Sequence, residues 1–188
     1  HPEADTTGPV RLLSAPIIQP LVLDLDRTLI RTDLLFESLA AALHKNPFII
    51  FLAFWWLLQG RAVLKRKLAE KARLDLDVIP VTASVERLAR TEAARGRIIV
   101  LATAADEMLA RRIARRFPFI SRVLASNGVQ YLKGRTKADV LAQAFPQGFV
   151  YAGDNKSDLP VWAAASGIVL VPMHHGLERK ARKLGKPV

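Results

Sequence analysis

From Leu21 to Asp26 the chain reads Leu-Val-Leu-Asp-Leu-Asp. A continuous aliphatic run of this kind suits a strand buried on both faces, the kind found in parallel sheets covered by helices. Neither Asp24 nor Asp26 belongs inside such a strand, because an unpaired buried carboxylate is costly. The run must therefore end at its carboxylates, at a strand tip where some chemistry uses them.

The same aliphatic pattern recurs in "RIIVLATAAD" (97–106), "RVLAS" (122–126), "GFVYAGD" (148–154) and "GIVLV" (167–171). Helical periodicity fills the intervals. Leu35, Leu39, Ala42 and Leu43 share one face, and Pro47 opens a second helix. "GRAVLKRKLAEKARL" makes a third, and a fourth runs from a Ser84 cap to Arg95, closed by Gly96. Asp106 is the expected N-cap of the helix after the second strand. Asn127-Gly128 reads as a hairpin turn leading into "VQYLKG". Strands alternating with helices predict an α/β fold, a Rossmann-like parallel sheet with helices on both faces. Residues 1–18 read as a flexible arm, 19–32 and 96–173 as the α/β core, 33–95 as a helical insertion after the first strand, and 174–188 as a basic tail.

Ligands of an open parallel sheet bind beyond the carboxyl ends of its strands. The first strand ends in Asp24 and Asp26, the second in Thr103, and the fourth in Gly153-Asp154 with Asp158 just beyond. Lys137 opens the helix before the fourth strand. One carboxylate can attack phosphorus, and a second, protonated one can donate to the leaving oxygen and then take a proton from water. Asp24, Asp154 and Asp158 beside a phosphate require a hard cation, and Mg2+ suits oxygen ligands. Thr103 and Lys137 are the expected phosphate-binding residues, with Lys133 the rival to Lys137.

Composition narrows the alternatives. The chain lacks Cys, which excludes disulfides and thiolate-held metals, and four His give no His-rich metal site. A net charge of +11 favours anionic partners. No nucleic-acid-binding motif accompanies it, so nucleic acid ranks last among them. The apolar run Phe48 to Leu58, "FIIFLAFWWLL", is too short to cross a membrane and lacks the position of a signal peptide. Two readings of it stand: a helix buried between insertion and core, or a segment lying at a membrane interface, since two adjacent Trp cannot both face one narrow core stripe.

"DLDRT" (24–28), "IIVLAT" ending at Thr103, Lys137 and "GDNKSD" (153–158) together resemble the four motifs of the haloacid dehalogenase (HAD) superfamily of aspartyl phosphatases. The resemblance implies Asp24 as nucleophile and metal ligand, and Asp26 as general acid/base with its backbone carbonyl toward the metal. It implies Asp154 and Asp158 as further metal ligands, and Thr28 as support for the first loop, grouped with the phosphate-binding residues. It also makes 33–95 a small cap over the site, where Arg61, Lys65 and His44 are substrate candidates. Position 27 departs from the family, with Arg where Gly is most frequent. Arg27 either occupies a backbone conformation that side chains tolerate poorly or reaches toward the entering anion.

"LVLDLDRTLIRTDLLFESL", "GRAVLKRKLAE" and "LKGRTKADVL…YAGDNKSDLPVW" are further similar to the hydrolase domain fused ahead of UbiA-type membrane prenyltransferases. That resemblance implies a phosphorylated prenyl lipid or phosphosugar as substrate, and a membrane surface or prenyltransferase domain as partner. It also implies a cytoplasmic location at the inner face of a membrane, with "HHGLERKARKLGKPV" leading toward it. The alternative is a non-catalytic regulatory or membrane-docking module of the same fold.

Overall fold

The computed structural model describes residues 18–72, 74–171 and 175–187, with the side chain of His175 outside the description. The expected N-terminal arm, through position 17, lies outside the described residues. Five strands form one sheet: β1 (Leu21–Leu23), β2 (Ile99–Asp106), β3 (Ile120–Ser126), β4 (Val150–Gly153) and β5 (Gly167–Leu170). Their order is β3-β2-β1-β4-β5, and every pairing is parallel. β1 lies at the centre because all three of its residues are aliphatic and it has covered faces on both sides. The order reverses there, so the crevice of the sheet opens at the tip of β1.

Alternation along the strands sends side chains to two cores. Leu21, Leu23, Ile99 and Leu101 pack under α4 (Ala83–Ala94) and α5 (Glu107–Ala114) through Val85, Ala89, Leu109 and Ile113. Val22, Val100 and Tyr151 face the other way. They pack against α6 (Arg135–Ala144), α7 (Leu159–Ala164) and α8 (His175–Arg182) through Leu141, Trp162 and Ala181. The basic C-terminal stretch thus adds a helix to the second face, and Ile168 N donates to Pro187 O at 2.8 Å. Three helices precede α4: α1 (Leu34–Lys45), α2 (Ile49–Gln59) and α3 (Arg61–Lys71). They close on a cluster of their own, built on Ala42, Ile49, Ala53, Trp56 and Leu68.

Three expectations need correction. The fourth helix is not capped by Ser84: its N-cap is Thr82, with no side-chain bond to the helix, and Ser84 lies within the first turn. No hairpin follows β3. Asn127 Oδ1 accepts from Val129 N and Gln130 N, and Leu132 N donates to Ser126 Oγ, so the chain curls back at the strand tip without pairing. The Asx turn uses the same Asn-Gly pair that opens a hairpin. Finally, α2 is not buried between insertion and core. Ile49, Ala53 and Trp56 are covered, whereas Phe48, Phe51, Phe54, Trp55 and Leu58 are exposed, because α1 and α3 cover only one side of it.

Candidate active site

β1 delivers two carboxylates to the crevice in different surroundings. Asp24 N donates to Ala152 O of β4 at 2.9 Å, so the ladder runs one residue past the strand and holds Asp24 at its tip. Leu25 turns into the core, and Leu29 N donates to Asp24 O while Ile30 N donates to Leu25 O. This tight return places Arg27 at φ 59°, the left-handed region that Gly adopts without strain. Arg27 is exposed, and its guanidinium lies 3.9 Å from the Asp33 carboxylate. Asp26 Oδ1 accepts from Leu34 N at 2.9 Å, so the start of α1 fixes that carboxylate, while Asp33 caps the same helix by accepting from Leu35 N.

The second cluster comes from α6, β4 and the turn after β4. Lys137, only 2 % exposed, donates from Nζ to Asp24 Oδ1 and to the Tyr151 hydroxyl, each at 2.9 Å. Tyr151 donates in turn to Asp158 Oδ1 at 2.9 Å. Asp158 Oδ2 accepts from Asp154 N and Asn155 N, which folds the turn around its own carboxylate. Gly153 is required here: a Cβ at that position would lie 2.6 Å from Asp158 Oδ2. Thr28 Oγ1 donates to Asp154 Oδ1 at 3.4 Å.

Asp24, Asp154 and Asp158 offer carboxylate oxygens all within 4.8 Å of one another. Three hard oxygen donors this close match what a small divalent cation takes, and a buried Lys supplies a single compensating charge. The carboxylate of Asp26 is not in that trio, being turned to Leu34 N. A cavity of about 50 Å³ is lined by Asp24, Asp26, Asp154, Lys137 and Lys133, with Lys65 of α3 at its wall. Of the two rival lysines, Lys137 reaches Asp24, and Lys133 contributes to the lining alone. Lys65 Nζ donates to Ala104 O at 3.0 Å, which ties α3 to the tip of β2. Thr103 is fully buried there, its Oγ1 accepting from Ala105 N, and Ala104 takes the place in the lining. Arg61 and His44 are exposed on the three-helix unit and do not line the cavity.

The electrostatics follow from this crowding. Burial, and then the neighbouring charge of Asp24, push Asp26 up to about 6 from an ordinary 3.8. Partial burial, then Asp24 and Asp158, raise Asp154 to about 6. Asp158 is raised by burial and by Asp24. Burial pulls Lys137 down, but the charges of Asp24 and Asp158 outweigh it and hold its ammonium above the usual value. Tyr151 stays protonated well above its ordinary range through burial and the same two carboxylates. Tyr151 is the polar residue that sequence reasoning passed over. Its one signal is a hydroxyl in an otherwise apolar strand two residues before Gly153.

No family model matches the chain. It is 37% identical over 169 residues to a protein of Sinorhizobium fredii described as uncharacterized protein y4nM, covering 90% of this chain and 33% of that one. The chain thus spans about a third of the length of this curated relative. Among solved structures it is similar to a substrate-bound phosphoserine phosphatase complex, with a TM-score of 0.63 and 15% identity over 88% of this chain and 91% of that one. A HAD family hydrolase of Salmonella enterica serovar Typhi superposes with a TM-score of 0.63 and 13% identity over 92% and 69% of the two chains. The fold is the Rossmann-like α/β fold of the HAD hydrolases.

Proposed function

We propose that this chain is a phosphoric monoester hydrolase that works through an aspartyl-phosphate on Asp24. The observation that carries this reading is the Asp24–Lys137 bond beside Asp154 and Asp158, with Asp26 held apart and poised near neutrality. A carboxylate oxygen of Asp24 attacks phosphorus, the bond to the ester oxygen breaks, and that oxygen takes the proton of Asp26. Asp26, now ionised, removes a proton from water. The hydroxide oxygen bonds to phosphorus, the bond to Asp24 breaks, and phosphate leaves while Asp26 is protonated again. Lys137 stabilises the charge spread over the phosphoryl oxygens. An Asp at position 26 serves phosphate transfer, because breaking a carbon–halogen bond needs no proton donor there.

The carboxylate trio fits Mg2+, which Asp24, Asp154 and Asp158 would hold. When bound, Mg2+ neutralises the trio so that an anionic phosphate can approach. The raised Asp154 and Asp158 support this reading, since burial and then the charge of Asp24 raise both, and a bound cation would offset each. The small-molecule end of the substrate meets α1–α3, which act as a cap, with Lys65 at the wall of the cavity. The likeness to hydrolase domains that precede UbiA-type prenyltransferases supports a phosphorylated prenyl lipid or phosphosugar as substrate. Hydrolysis of an aryl phosphate and a panel of sugar and prenyl phosphates, with Mg2+ or with chelator, tests the proposal beside Asp24→Asn. The expected result is turnover that needs both Mg2+ and Asp24; turnover unaffected by Asp24→Asn overturns it.

A further inference from the structure

α2 presents the sharpest mismatch between a side chain and its surroundings. Nine of the thirteen large apolar side chains exposed among the described residues lie between Phe36 and Leu58. Phe48, Phe51, Phe54, Trp55 and Leu58 are each more than 60 % exposed, with Phe36 of α1 beside them. Scattered apolar residues need no explanation, but a contiguous aromatic face marks an interaction site. Leu35, Phe36, Leu39, Ile50, Phe54 and Leu57 also line an open groove of about 280 Å³ between α1 and α2.

The charges around this face identify its occupant. α2 carries no ionisable residue, but Lys45 precedes it and Arg61 follows it. From Leu34 to Lys71 six basic residues stand against two acidic ones, and although Lys65 and Arg66 turn to Ala104 O and Asp106, Lys45 and Arg61 remain at the two ends of α2. One of those two, Glu70, is already paired with Arg66 and Lys67. A second copy of the chain on this face would oppose two cationic rims, a like-charge arrangement that association penalises. An anionic surface with an apolar layer beneath it satisfies both the rim and the aromatics. Phe and Trp beside Lys and Arg are the residues that settle at the headgroup boundary.

We infer that the α1–α2 face docks on an anionic lipid bilayer, with Phe51, Phe54 and Trp55 seated among the headgroups and Lys45 and Arg61 on the lipid phosphates. The helix lies on the membrane and does not cross it. Its eleven residues span about 16 Å, half of a hydrocarbon core of about 30 Å. No helix among the described residues is long and apolar enough to span. α3 joins this face to the crevice: Leu68 packs in the cluster of α1 and α2, and Lys65 reaches Ala104 O at the cavity wall. The inference stands on this surface alone and is independent of the phosphatase chemistry.

Trp55 makes the inference directly testable, because it is 61 % exposed whereas Trp56 is 8 % and Trp162 0 % exposed. The purified chain is mixed with vesicles of phosphatidylcholine alone or with phosphatidylglycerol, and both flotation and Trp emission are followed. The expected result is flotation with phosphatidylglycerol vesicles, weakened by high salt, and a blue shift quenched by brominated lipid. Phe51→Ser/Trp55→Ser, both at exposed positions, reduces partitioning at least about tenfold with an unchanged circular dichroism spectrum. Lys45→Gln/Arg61→Gln removes the preference for phosphatidylglycerol, and Trp55→Phe binds but loses the shift. A chain that stays in the aqueous phase overturns the inference. So does equal partitioning into both vesicle types, or a soluble dimer by sedimentation in which Trp55 is already blue-shifted.

Discussion

Asp24 and Asp26 are two positions apart, yet the turn after β1 gives one a Lys partner and the other a backbone amide and a proton-retaining environment. Different roles predict different variants. Asp26→Asn should slow hydrolysis of an alkyl phosphate by roughly 10²- to 10⁴-fold. An aryl phosphate, whose leaving group needs no proton, should still phosphorylate the variant and show a burst of aryl alcohol followed by slow release of phosphate. Rapid-quench kinetics checks this, and equal losses in both steps for both substrates would contradict it. Arg27 at φ 59° stores strain that Gly does not feel. Arg27→Gly is therefore expected to raise stability by about 1 kcal/mol, measured by urea unfolding, since the exposed ion pair it loses is long and weakly stabilising. Asp24, Asp26 and Asp154 were legible because a strand tip is the one place an aliphatic run tolerates carboxylates, and Asp158 because "GDNKSD" places it just beyond the fourth strand. Tyr151 was not, because a Tyr in a strand satisfies packing equally well.

At the scale of elements, the strands were legible because buried parallel strands are unbroken aliphatic runs, whereas their order in the sheet came only with the structure. What covers a helix was not: hydropathy shows that "FIIFLAFWWLL" is apolar, and only tertiary packing shows that α1 and α3 leave most of it open. The hairpin failed for a related reason, since Asn127-Gly128 turns the chain but Leu132 finds its partner in Ser126 and pairs with no strand. Asp106 was read correctly as the cap of α5, and the structure adds a second task. Its Oδ1 accepts from Met108 N and from Arg66 of α3, joining the three-helix unit to the end of β2. Asp106→Ala should cost about 2 kcal/mol by loss of the cap and of this link, and Asp106→Asn, which keeps the cap, about half of that. Chemical denaturation of the two variants checks the ratio.

For the molecule as a whole, the crowded carboxylates set a pH dependence. Asp26 and Asp154 keep protons to about 6 in the native chain and release them near 3.8 when unfolded, so the native state binds more protons between those values. Without metal, stability should therefore be greatest on the acid side and fall as the pH rises through 6, giving a higher melting temperature at about pH 5 than at about pH 7.5. At the higher pH, Mg2+ should restore stability by binding only the native state. Asp154→Asn should raise the metal-free melting temperature there and abolish the response to Mg2+; differential scanning calorimetry reads both. The net charge of +11 was legible from composition, but not where it acts. The structure gathers Asp24, Asp26, Asp154 and Asp158 in the crevice and sets Lys45 and Arg61 at the two ends of an apolar helix. The most direct test of the central claim is to quench the chain during turnover, reduce any acyl-phosphate with borohydride and map the product by mass spectrometry. The expected product is homoserine at position 24, dependent on substrate and Mg2+. Turnover with Asp24 unmodified, or with the label on another carboxylate, would contradict it.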